Sequence, residues 1–214
     1  MKATDWRQRW PELIVERQTE SALSALRRYY GRLEDGLPRF TGSRFEAIAQ
    51  LNSDPNSIGP ADLVAITTLS VDIKGDAAVR ILETDSARIS ELLAQIPADL
   101  KIVDADEGLL VEGSAASQLW RVLRDGRDGI GRTKTSKLMA AKRPRLIPIW
   151  DSFVEQATGL DTSDNWRQFQ SVLLADGRSI WKWLGDIRND VDDLPAEVSE
   201  LRILDVLLWM SVHG

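Results

Sequence analysis

Gly129-Ile130-Gly131-Arg132-Thr133-Lys134-Thr135, followed after a helix-length gap by Pro144-Arg145-Leu146-Ile147-Pro148-Ile149-Trp150-Asp151, is the stretch on which the reading of this chain turns. Glycines two apart permit a tight turn into a helix, and the first turn of a helix leaves backbone N–H groups unpaired and aimed outward. Such a turn holds an anion, a phosphate above all. Asp151, one helix and one short connector further on, then faces whatever that phosphate belongs to. The pair reads as a nucleic-acid grip with a candidate catalytic acid beside it.

Working outward, Ser114 is placed to cap a helix running to Arg124, and a second helix leaves the glycine turn and ends near Ala141. Leu119, Val122 and Leu123 of the first would pack on Leu138 and Met139 of the second, giving a helix-hairpin-helix over 114–141 and an acidic-residue loop over 142–152. In that hairpin, the backbone around Gly129, Ile130, Gly131 and Thr133 would hold a phosphate without reading sequence, with Arg132 and Lys134 adding charge at the rim. The window from Arg121 to Arg145 has nine basic residues against Asp125 and Asp128, a net of +7 in a chain of net charge −6, so the remainder carries −13. One concentrated basic patch on an acidic body fits a local phosphate site better than a protein that coats nucleic acid over its whole surface.

These residues resemble the helix-hairpin-helix DNA glycosylase superfamily, the endonuclease III and adenine-glycosylase relatives. The glycine–apolar–glycine turn, the basic helix and the spacing from Thr133 to Asp151 all match that family's pattern. The segment Asp62-Leu63-Val64-Ala65-Ile66-Thr67-Thr68-Leu69-Ser70-Val71-Asp72 is similar to the family's upstream helix. The likeness covers roughly residues 60–155. It implies an all-α, two-lobed helical bundle of the DNA glycosylase kind, with Asp151 as the essential carboxylate and DNA as the partner. At the family's Schiff-base lysine stands Thr133, with Lys134 one place along, which is the monofunctional pattern. Asp72 stands where the family places a glutamine that fills the gap left by a flipped base, and a carboxylate is a poor wedge. Phe153 replaces the family histidine. Trp150, beside Asp151, is a second candidate for base contact.

The rest of the chain sets bounds. With no cysteine, thiol catalysis, disulfides and an iron–sulfur cluster are excluded, and neither a metal nor another cofactor is expected. The single histidine, His213, is penultimate and reads as solvated, so acid–base chemistry falls to carboxylates, Lys or Tyr. No apolar run reaches membrane-spanning length and no secretion signal is visible, so a cytoplasmic protein without membrane contact is expected. The 214 residues are expected to form one unit, with a lobe boundary near 99–113.

Residues 7–31 show one amphipathic helical repeat stopped by Gly31, and Pro60 starts a helix, apolar nearly all round, that reads as the buried centre. Trp181, Trp183 and Trp209 read as packing residues. Asp186, Asp190, Asp192 and Asp193 read as a solvated acidic turn. The functional readings are three. The first is a monofunctional N-glycosylase acting through Asp151. The second is a non-catalytic nucleic-acid-binding relative, and the third a relative that binds protein partners.

Overall fold

A computed structural model describes residues 6–160, 164–191 and 194–213. The chain is all-α, and no strand forms among the described residues. In chain order the helices are α1 (Glu12–Val15), α2 (Thr19–Tyr30), α3 (Phe45–Ala49), α4 (Pro60–Thr67), α5 (Gly75–Val79), α6 (Ser86–Ala94), α7 (Ala115–Arg124), α8 (Arg132–Lys142), α9 (Ser152–Thr158), α10 (Asn165–Asp190) and α11 (Glu200–His213). No helix is long and apolar enough to cross a membrane, among the described residues. Of the acidic run near the end of α10, Asp192 and Asp193 lie outside the described residues.

The amphipathic repeat at the N-terminus is not one helix. Pro11 opens α1, Arg17 takes a left-handed φ of 52°, and α2 begins only at Thr19. Proline supplies no N–H to the preceding turn, and a non-glycine residue in the left-handed region ends a helix. The stop at Gly31 stands. α10 is interrupted in the same way, because Asp176, Gly177 and Arg178 all have positive φ.

The central buried helix is α11 rather than α4. Every residue from Leu201 to Leu208 is buried, and the helix packs on α2, α9 and α10. α4 buries Leu63, Ala65 and Ile66 but leaves Val64 54% exposed. It also buries a charge. The Asp62 carboxylate accepts the Gly59 N–H (2.8 Å) and the Asn52 amide (2.6 Å), and it pairs with Lys142 at 3.3 Å. A buried ion pair of this kind persists only when its remaining lone pairs are satisfied, as they are here.

α7 and α8 pack against each other through Leu119, Leu123, Leu138 and Met139, all buried. The Ser114 hydroxyl caps α7 by accepting the Ser117 N–H. After α8, Arg143 is wholly buried and acts as a carbonyl clamp: its guanidinium donates to the backbone oxygens of Pro55, Leu93, Ile96 and Lys142. Burial depresses its pKa to about 10, with Asp99 opposing. The clamp fixes the connector that carries the chain from α8 to Asp151. Ile102 N–H donates to Arg145 O, so the segment after Asp99 is tied to the same connector.

Candidate functional site

The turn between α7 and α8 is held from outside by Arg80, which lies on the π-helical turn Arg80–Thr84 that continues α5. Its guanidinium donates to Asp128 (2.7 Å), to Asp85 (2.8 Å) and to the last carbonyls of α7, Val122 O and Leu123 O. Those carbonyls have no partner within their own helix, so Arg80 serves as a C-terminal cap from a distant element. A Cβ at Gly126 would meet the guanidinium, so a larger residue there would displace Arg80 from this position. Gly129, at φ 91°, lies in the region that favours glycine. Burial pushes the Asp128 carboxyl up, but the Arg80 hydrogen bond and the Ile130 N–H outweigh it and hold the group below its ordinary value.

Of the residues expected to bind phosphate, Gly131 and Arg132 are exposed at the start of α8, and no side chain caps that helix. The amides of Thr133 and Lys134, in the first turn, have no carbonyl one turn back to bind. Ile130 differs from expectation: its side chain is buried and its N–H donates to the Asp128 carboxylate (3.2 Å). Lys134 is not at the rim alone either. It pairs with the exposed Asp72 at 2.8 Å, which draws the Asp72 carboxyl below its ordinary value.

The nine-residue basic patch also shrinks. Lys137, Lys142 and Arg143 are buried and serve interior contacts. Trp150 is buried as well, donating its indole N–H to Leu160 O, with the Arg132 guanidinium 5.7 Å from its ring centre.

Asp151 does two things at once. Its Oδ1 accepts the N–H groups of Phe153 and Val154, both at 3.1 Å, and so caps α9. Its Oδ2 lies 3.4 Å from the ammonium of Lys137, which also donates to Leu69 O at 2.8 Å. The side chain of Lys137 is 5% exposed and that of Asp151 13%. Both line a cleft of about 350 Å3, at the small end of ligand pockets. Thr133, one helical turn before Lys137, lines it too, so the uncapped start of α8 and the cleft are neighbours.

The far wall is supplied by α11. Arg202, Asp205, Trp209 and His213 fall on one helical face at steps of three and four, and all four line the cleft. Arg202 is buried and donates to Glu46 (2.7 Å), the Tyr29 hydroxyl (2.9 Å), Gly42 O (2.7 Å) and the Asp205 carboxylate. Burial pushes the Asp205 carboxyl up to about 6; Arg202 opposes this, and Asp151 adds to it.

Aromatic rings continue the wall. Trp209 stacks on His213 (4.3 Å between centres, 10° between planes), Phe153 meets His213 edge-on at 4.2 Å, and Phe40 stacks on Tyr29 at 5.4 Å. His213 is exposed, as expected, but stands at the cleft's edge, and Trp209 belongs to the cleft as well as to the packing. Lys137, Arg202 and Asp205 were not singled out as site residues from sequence. The available signal was the i, i+4 step from Thr133 to Lys137 and the polar-aromatic stripe 202–205–209–213 on an apolar helix.

An arrangement of this kind can place a flat ring against aromatic faces while a carboxylate and an ammonium meet its polar edge. Comparison with curated proteins and with solved structures yields no match. A family model does match residues 22–212, a span that holds the α7–α8 turn, Asp151 and all of the cleft wall except His213. The chain thus belongs to the family described as DUF6308, a family of unknown function.

Proposed function

We propose that this chain is a DNA-binding protein of the helix-hairpin-helix, DNA glycosylase-like kind. The turn at Gly129–Gly131 and the start of α8 grip a phosphate backbone, and the cleft takes one base. In this reading the protein is a monofunctional N-glycosylase that removes a damaged or modified base, with Asp151 as its essential carboxylate. The observation that carries the reading is that Asp151 opens into a cleft lined by Thr133 and Lys137, one turn from the uncapped end of the same helix. A flipped nucleoside develops oxocarbenium character as its glycosidic bond breaks, and a carboxylate held at that point stabilises the charge or activates water. The cap of α9 fixes Asp151 in place, so the capping and chemical roles support each other.

A second reading is a non-catalytic nucleic-acid-binding relative. It is favoured by the Ile130 N–H being committed to Asp128 and by Asp72, at the wedge position, being tied to Lys134. Fluorescence anisotropy of the protein against short single- and double-stranded DNA at two salt concentrations tests what the two readings share. Binding that weakens steeply with salt is expected, because phosphate contacts release counterions. Absence of binding at low salt removes both and points to protein partners. Base release by wild type that disappears in Asp151→Asn, with binding intact, separates the first reading from the second.

A further inference from the structure

Five charged side chains form one buried cluster, Glu46, Asp151 and Asp205 against Lys137 and Arg202, and all of them but Glu46 line the cleft. Three carboxylates against two cations leave a buried surplus of one negative charge, which a single bound proton removes. Glu46 takes the Arg202 Nε–H on Oε1 and leaves Oε2 buried without a partner, but it does not line the cleft; Asp151, which does, takes two backbone N–H groups and Lys137. Asp205 gives only Oδ2 to Arg202, and the described residues offer no hydrogen bond to its Oδ1. Asp205 and Asp151 line the same cleft from opposite elements, α11 and the start of α9.

We propose that Asp205 is the proton donor of this cleft, delivering a proton to a ring nitrogen of the departing base while Asp151 receives the proton of the attacking water. The inference rests on the glycosylase reading above and names its substrate class: neutral bases, which leave poorly unless protonated. The glycosidic C–N bond breaks with its electron pair going to the base nitrogen. Water adds to the sugar carbon, the base departs carrying the Asp205 proton, and Asp151 holds the proton lost by water until both groups re-equilibrate with solvent. Two carboxyl groups held in contrasting surroundings divide acid and base roles in this way.

The groups that face Asp205 are Arg202 on its own helix, Tyr29 and Tyr30 from α2, Lys137 from α8 and Asp151 at α9, with His213 two turns along α11 in the same cleft and Glu46 from α3 behind Arg202. From α10, Arg188 turns instead to the carbonyls of Ala196 and Val198. Burial among these groups keeps the Asp205 proton in place to about pH 6.

The test is single-turnover base release from duplexes carrying uracil, hypoxanthine, 8-oxoguanine or 7-methylguanine, the last a cationic base that leaves without protonation. For wild type, release of a neutral base should fall as pH rises through about 6 while 7-methylguanine release does not. Asp205→Asn should lose about 100-fold more on neutral bases than on 7-methylguanine, and Asp205→Glu should recover part of it. A flat wild-type profile, release of 7-methylguanine alone, or equal losses on both classes overturns the assignment of Asp205 and leaves the glycosylase reading standing. A wild type that binds DNA but releases no base overturns both. Should Asp205→Asn fail to fold, the profile of His213→Gln, which removes the imidazole from the same cleft, decides instead: a fall through about pH 6 that persists supports Asp205, and a flat profile overturns it.

Discussion

In the turn that joins α7 to α8, the contributing residues lie at 122–131 apart from Arg80 and Asp85, whereas the cleft behind it draws on residues from Tyr29 to His213. The turn is held together by one guanidinium reaching two carbonyls and two carboxylates. The cleft is held together by a buried charge cluster in which no member is close in sequence to all the others. The turn is therefore expected to loosen at lower cost than the cleft, with Ile130 its anchor in the core. A local motif on a rigid interior scaffold is also how a site keeps an adaptable grip beside a fixed chemical centre.

The sharpest way to break this contrast is Arg202→Met. It leaves Glu46 and Asp205 without their cation inside the protein, and removing one partner of a buried pair costs about 3–5 kcal/mol. Urea denaturation should show a loss of that size; a loss under about 1 kcal/mol would mean that the cluster is not what holds the cleft. The pH dependence follows from the same cluster. The folded-state carboxyl of Asp205 is raised from 3.8 to about 6, so the folded chain binds its proton more tightly than the unfolded one. Its contribution to stability is complete below about pH 4 and is lost as pH rises through about 6, on the order of 3 kcal/mol. Denaturation of wild type and Asp205→Asn at pH 4.5 and pH 7 should show the decline in wild type alone.

For the turn, Arg80→Ala should cost about 2 kcal/mol, since it removes charge-assisted hydrogen bonds from groups that are only partly buried. Hydrogen exchange should quicken over 122–131 and stay unchanged along α11. Equal quickening in both places would show that turn and cleft are one cooperative unit. The smallest effect is expected at the rim. Neutralising Arg132 or Lys134 should leave stability nearly unchanged and lower the salt slope of DNA binding by about one each.

How much of this was legible in the sequence follows the same division. The α7–α8 pair, the Ser114 cap, the glycine turn and the position of Asp151 at the start of α9 all rest on contacts within a few residues, and local pattern reveals such contacts. The break at Arg17 was hidden because an amphipathic repeat continues across it; only the backbone conformation shows it. The basic window read as one surface patch because spacing along the chain does not say which side chains turn inward. Lys142 turns to Asp62 and Arg143 to carbonyls that lie 47 to 88 positions away in sequence. The cleft wall was missed for a related reason. Asp205 and His213 acquire their surroundings only when α11 crosses α2 and α9, and a terminal histidine carries no sign that its ring will meet Trp209 and Phe153.

The central claim, that the cleft beside the turn is a chemical site built on Asp151, is tested most directly by replacing that residue in two ways. Asp151→Asn keeps an oxygen to cap α9 but loses the charge that faces Lys137, whereas Asp151→Ala loses the cap as well. With wild type, Asp151→Asn and Asp151→Ala at saturating DNA, we expect base release in wild type only. Asp151→Asn should still bind DNA, and Asp151→Ala should be less stable than Asp151→Asn by about 1 kcal/mol, the worth of the lost cap. Base release by Asp151→Asn at the wild-type rate would contradict the claim and leave Asp151 as a helix cap alone.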